Sequence, residues 1–200
     1  MKRILMIGML LFGVIATAMA WHSFSHSTTA QPTTTTVHAV AHQPRRVLVL
    51  YFSWSGTTKE VAQTVHRQVG GRLVRLEPKV SYSSDYSTVS KRAGREYFRH
   101  QSPAVKTDPR LVDDYTDIFI GYPIWYGTAP MVVKSFLQRA NLRGKNLYPF
   151  TTFASSRLGK SPALIKRAAP GARLLPGLAE DNPGQATTDV KRWLTTIRFK

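Results

Sequence analysis

The sequence contains no cysteine, and acidic residues are scarce: 11 Asp and Glu stand against 28 Lys and Arg, a formal net charge of +17. The first absence excludes disulfides, a thiolate nucleophile, thiolate-held iron–sulfur clusters and a cysteine-linked lipid anchor. The second makes a surface that attracts polyanions. Nucleic acid is not the expected partner, because Arg92, Arg95 and Arg99 share one helical pattern without base-stacking aromatics interleaved in a recognised motif. Anionic cell-wall polymer or anionic membrane headgroups suit the charge better. Three further motifs are missing. The first strand-to-helix turn has no Walker lysine, Phe52-Ser53-Trp54-Ser55-Gly56 lacks the first glycine of a nucleophile elbow, and the three spaced glycines of a dinucleotide fingerprint are absent.

What is present begins at the N-terminus. Lys2-Arg3 precedes an uncharged run, Ile4 to Ala20, that ends in Ala18-Met19-Ala20. A basic start, an apolar centre and a small-x-small end are the parts of an export signal, and the run is also long enough to be an uncleaved membrane anchor. Because the positive charges near this segment, residues 1–20, all precede it, either version is expected to leave the rest of the chain outside the cytoplasm. Residues 21–44 carry four histidines and no other ionisable side chain, and include the threonine block 33–36, so they read as a disordered linker. His22 and His26, like His38 and His42, are four apart. They would meet on one metal only if the segment were helical, which Pro32 and the threonines disfavour. Residues 45–200 then have the length of one domain.

The domain opens on its most informative stretch. Val47 to Phe52 is a continuous apolar run, as in a strand buried on both faces, and Val61, Ala62 and Val65 follow at helical spacing. Between them lie Ser53, Ser55, Gly56, Thr57 and Thr58. Free N–H groups at a helix start, with hydroxyls and a glycine around them, can wrap a phosphate without a positive side chain. The same residues also fit a capping box, Thr57-x-x-Glu60. Strand and helix patterns then alternate. Strands are expected at 72–77, 117–121, 146–153 and 173–175, and helices at 57–70, 88–99, 131–140, 161–168 and 187–197. That order implies an α/β fold, a parallel sheet with helices on both faces, and ligands bound beyond the carboxyl ends of the strands. Three such ends carry unusual loops. The first is hydroxyl-rich, the second places Pro123, Ile124, Trp125, Tyr126 and Gly127 together, and the third holds Ser155, Ser156 and Gly159. Together they suit a flat aromatic ring joined to a phosphate.

With these loops in place, the sequence resembles the flavodoxin-like FMN-binding family over residues 46 to about 195. The resemblance is carried by Tyr51-Phe52-Ser53-Trp54-Ser55-Gly56-Thr57-Thr58-Lys59 and by Gly121-Tyr122-Pro123-Ile124-Trp125-Tyr126-Gly127-Thr128-Ala129-Pro130. Leu158-Gly159-x-Ser161, Pro170-Gly171-Ala172 and Gly177-Leu178-Ala179 follow in the family's order. It implies a three-layer flavodoxin-like sandwich whose five parallel strands run in the order 2-1-3-4-5, and bound FMN. Ser53, Ser55, Gly56, Thr57 and Thr58 would take the phosphate, Pro123 to Gly127 would border the isoalloxazine, and Ser155, Ser156 and Gly159 would close its other side. The function expected is electron transfer outside the cytoplasm, to a redox partner protein or a small acceptor such as a quinone. Two alternatives remain: an NAD(P)H-dependent quinone or azo reductase, and a basic cell-surface binding module.

Overall fold

Val47–Tyr51 forms β1, and its side chains alternate between two buried layers, Leu48 and Leu50 into one and Val47, Val49 and Tyr51 into the other. The computed structural model describes residues 45–199. The expectations placed on residues 1–44, an export signal or anchor, a linker and the histidine pairs, lie outside the described residues.

After β1 come α1 (Thr57–Val69), β2 (Arg72–Arg75), α2 (Tyr86–Phe98), β3 (Asp117–Pro123), α3 (Met131–Arg139), β4 (Asn146–Thr152), α4 (Ser161–Ala168), β5 (Arg173–Leu174), β6 (Leu178–Glu180) and α5 (Ala186–Thr196). All strand pairs are parallel, in the order β2-β1-β3-β4-β5, which is the expected flavodoxin-like arrangement. One layer joins Val61, Ala62 and Val65 of α1 to Val190, Trp193 and Leu194 of α5. The other joins Val132, Val133, Phe136 and Leu137 of α3 to Ile165 of α4. Each fully buried Leu, Val or Phe contributes about 1.5–3 kcal/mol, so these layers hold the sheet.

β6 is the departure from five strands. It pairs with β4 at Phe150–Thr152, while β5 pairs with the same strand at Asn146 and Leu147. Leu175-Pro176-Gly177 separates the two. The fifth position of the sheet is thus occupied by two short strands in succession, because proline has no N–H to give the ladder.

Candidate functional site

The carboxyl ends of β1, β3 and β4 meet at one edge of the sheet, and hydrogen bonds between their loops hold them there. The Phe52 N–H donates to the Gly121 carbonyl at 2.8 Å, Ile124 N–H to Thr152 at 3.0 Å, and Lys160 N–H to Gly127 at 2.7 Å. The buried hydroxyls of Thr58 and Thr152 are 2.7 Å apart. A Cβ on Gly159 would lie 2.2 Å from the Gly127 carbonyl oxygen, so the approach of the third loop to the second requires glycine.

At the start of α1 the N-cap is Gly56, with φ 103°, and no side chain caps the helix. The capping-box alternative is thereby set aside, since Thr57 is the first residue of the helix rather than its cap. Gly56 N–H donates to Ser53 Oγ at 3.1 Å and Glu60 N–H to the Gly56 carbonyl at 3.2 Å. The N–H groups of Thr57, Thr58 and Lys59 have no partner among the described residues. Ser55 Oγ and Thr57 Oγ1 lie 3.1 Å apart beside them. A side chain added at Gly56 would meet no atom of the described residues within 4 Å, so among them the space over this turn is open. Unpaired N–H groups, two accessible hydroxyls and the positive end of a 13-residue helix form an anion cradle. Ser53 and Thr58 are buried and support it from beneath.

The second loop is a tight turn. Trp125 N–H donates to the Thr128 carbonyl and Thr128 N–H to that of Trp125, at 2.9 and 3.0 Å, with φ 53° at Tyr126 and 71° at Gly127. Positive φ at both central residues is the type I′ geometry. The turn sends its two aromatics in different directions. Trp125 packs edge-on against Phe52 and Tyr82, with ring centroids 5.4 and 5.1 Å away. Tyr126 lies along α2, stacked on Tyr97 at 5.9 Å, and its hydroxyl donates to the Ser90 carbonyl at 2.9 Å.

A cleft of about 310 Å³ opens between these loops and α2. Ile124, Trp125 and Tyr126 form one wall, Trp54 of the first loop another, and Tyr86, Val89, Ser90 and Ala93 of α2 the third. Its size and aromatic lining suit a flat ring system. Trp54 is fixed by its indole N–H, which donates to the Ser83 carbonyl at 2.7 Å. On the other side of Trp54 lies a more polar cleft of about 480 Å³, reached by Ser53, Arg75, Lys79 and Lys106.

Behind the first cleft, Tyr82 donates to Glu96 at 2.7 Å and Arg92 bonds the other carboxylate oxygen at 2.8 Å, its guanidinium 4.0 Å above the Tyr82 ring. Burial first, then the bond to Glu96, raise the Tyr82 pKa, so it remains a donor throughout the physiological range. Arg92 therefore belongs to a structural cluster, whereas Arg95 and Arg99 are exposed.

The first two loops expected to form the site lie together, with Trp54 of one and Ile124, Trp125 and Tyr126 of the other lining the 310 Å³ cleft. Ser155 and Ser156 are exposed on the third, and neither they nor Gly159 line the 310 Å³ cleft. Pro123 ends β3, and Gly127 forms the turn without lining the cleft. Missed were Trp54 as a wall and the α2 face. Tyr86, Val89, Ser90 and Ala93 stand at helical spacing, a pattern that was available in the sequence.

An anion cradle after the first strand and an aromatic cleft beside it, at the carboxyl end of a 2-1-3-4-5 sheet, define a mononucleotide-binding α/β protein. The sequence matches the Flavodoxin family model over residues 46–197, and the chain belongs to that family. No curated protein matches it. Among solved structures it is similar to a candidate flavoprotein from Bacteroides eggerthii, at 30% identity and TM-score 0.68 over 78% of this chain and 100% of that one. A second, from Bacteroides uniformis, shares 27% identity with TM-score 0.65 over 74% and 99% of the two chains. A flavoprotein in complex with FMN from Lactobacillus acidophilus has the same fold, at 24% identity, TM-score 0.61 and coverage of 75% and 99%.

Proposed function

We propose that this chain is an FMN-dependent electron carrier that acts outside the cytoplasm. FMN is the cofactor of the family to which the chain belongs. The observation that carries the reading here is the uncapped start of α1 facing open space, next to a cleft with aromatic walls. When bound, FMN supplies one- and two-electron chemistry. The chain's own residues bind and orient it. The Thr57, Thr58 and Lys59 N–H groups with the Ser55 and Thr57 hydroxyls would hold the phosphate, and Trp54, Ile124 and Trp125 would shield the ring from water. No acid or base from the protein is assigned a step.

Purified protein mixed with FMN and passed through a desalting column should keep the flavin absorption bands and quench the flavin fluorescence. Riboflavin, which lacks the phosphate, should bind at least about 100-fold more weakly, since two charge-assisted hydrogen bonds at the low end of about 1.5 kcal/mol each already give that factor. Equal affinity for the two would remove the cradle from the site. The carrier reading is separated from an NAD(P)H reductase by anaerobic mixing: dithionite should bleach the bound flavin within seconds and NADPH should not. The export reading rests on Lys2-Arg3 and the run Ile4 to Ala20. Protease added to spheroplasts should degrade the domain if it lies outside. Acceptors of the quinone class and anionic surfaces are the partners that this location and the charge support.

A further inference from the structure

β2 ends at Arg75, whose register partner is Tyr51, the last residue of β1, so this arginine stands at the carboxyl edge of the sheet where the first loop departs. It reaches across to that loop: the guanidinium Nη2 donates to the Ser53 carbonyl at 3.0 Å. The other oxygen of Ser53, its hydroxyl, accepts from the Gly56 N–H at 3.1 Å, and Gly56 is the N-cap of α1. Ser53 is 4% exposed, so a single buried residue links the arginine to the cradle through two hydrogen bonds. The charge on Arg75 is also unmatched. Arg92, Arg110 and Arg192 each meet a carboxylate, whereas Arg75 forms no ion pair among the described residues. Residues 53–58 hold no cation of their own.

We propose that Arg75 is a positioning residue of the phosphate cradle and gives it a preference for phosphorylated flavin, a role that rests on the reading of this chain as an FMN protein. A carbonyl oxygen turned towards a bound phosphate would repel it, and the guanidinium holds the Ser53 carbonyl towards β2 instead. The N–H groups of Thr57, Thr58 and Lys59 are then the backbone groups that meet the anion. Arg75 need not touch the phosphate. Its charge acts on the same anion from behind the loop, along a partly buried path where salt screens less than at an open surface. Riboflavin gains neither effect, because it places no anion in the cradle.

Dissociation constants for FMN and riboflavin, measured by fluorescence quenching on the full chain, separate this role from a structural one. Arg75→Gln should weaken FMN about tenfold and riboflavin less than about twofold. Arg75→Lys, which keeps the charge and a donor, should bring FMN back to within about threefold of the parent. Arg72→Gln removes the same charge at the other end of β2, about 10 Å away, and should bind FMN as the parent does. Retained riboflavin binding shows that each variant is folded. Unchanged FMN binding in Arg75→Gln, equal losses for FMN and riboflavin, a lysine no better than glutamine, or the same FMN loss in Arg72→Gln would each overturn the proposal. A parent that binds no flavin would remove it together with the reading it rests on, whereas a parent and an Arg75→Gln variant that bind FMN equally well would remove it alone.

Discussion

Gly94 lies inside α2, where glycine is about 1 kcal/mol less favourable than alanine. Its reason is Tyr126. A methyl at position 94 would come within 2.7 Å of the Tyr126 hydroxyl oxygen and 3.0 Å of ring carbon Cζ. Gly94→Ala should therefore give no stabilisation, because displacing Tyr126 loses a hydrogen bond and a ring contact that together contribute about 1–2 kcal/mol. In a Tyr126→Ala background the clash is gone, and the same substitution should stabilise by about 1 kcal/mol. Urea denaturation of the four proteins measures the coupling. Identical effects of Gly94→Ala in both backgrounds would mean that the ring swings clear freely.

Glu180 is a second residue whose environment has a measurable sign. It is 2% exposed, its Oε1 accepts from the Asn182 N–H at 2.9 Å, and its Oε2 has no partner among the described residues. Burial raises its pKa, the Asn182 bond opposes this, and the charges of Asp189 and Asp181 add to the rise. A carboxyl with a raised folded-state pKa holds its proton longer in the folded chain. Stability is therefore lost as pH rises from the unfolded value of about 4.3 towards the folded one. Glu180→Gln should be more stable than the parent at pH 7, by about 1 kcal/mol for an unmatched buried carboxylate oxygen. The difference should vanish below about pH 4. A gap that persists at pH 3 in thermal melts would refute the ionisation account.

At the scale of elements, α2 decides the shape of the cleft, and Asp85 decides where α2 starts. Its carboxylate accepts from the Thr88 N–H at 2.7 Å and the Ser87 hydroxyl at 2.8 Å, and these bonds, Thr88 first, hold its pKa at about 2. With a depressed pKa the cap is fully present above the unfolded value of about 3.9 and is lost as pH falls through about 2. Amide exchange in residues 86–89 should accelerate over that window in the parent, after correction for intrinsic rates. Asp85→Asn, which keeps the cap without the titration, should not show the change.

Helices and strands were legible wherever burial imposes a pattern. The two-faced apolar run of β1 and the spacing of Val61, Ala62 and Val65 fixed their elements to within a residue. β6 was not legible, because Leu178–Glu180 is three residues long and follows Pro176-Gly177. What makes it a strand is pairing with Phe150–Thr152, a contact that local propensity does not encode. The site divides in the same way. Hydroxyls and a glycine in one turn are a local signal, and that turn forms the cradle. The α2 wall looks like any apolar helical stripe until the fold places it beside Trp54 and Trp125. The third loop carries the expected small residues, but Gly159 and Lys160 tie it to Gly127 and leave Ser155 and Ser156 exposed.

For the whole molecule, the formal charge of +17 sets the long-range behaviour. Arg92 is withdrawn into the Glu96 cluster, yet Arg95, Arg99, Lys160 and Arg167 remain exposed. Retention on vesicles containing anionic lipid, or on an anionic polymer matrix, should fall steeply between about 0.05 and 0.5 M salt, as the screening length shrinks from about 14 to 4 Å. Retention that ignores salt would argue against polyanions as partners.

The divided fifth position of the sheet has a consequence for how molecules of this chain meet one another. A sheet's outer strands present unpaired backbone donors and acceptors, and a long flat one is a template on which a second chain can add. Here one border consists of two pieces, of two and three residues, broken by Pro176, and the other is the four-residue β2 with Arg72 and Arg75 exposed. Short, interrupted and cationic borders leave an incoming strand little to zip onto. Molecules of this chain brought together at high local density are thereby kept from growing into fibres.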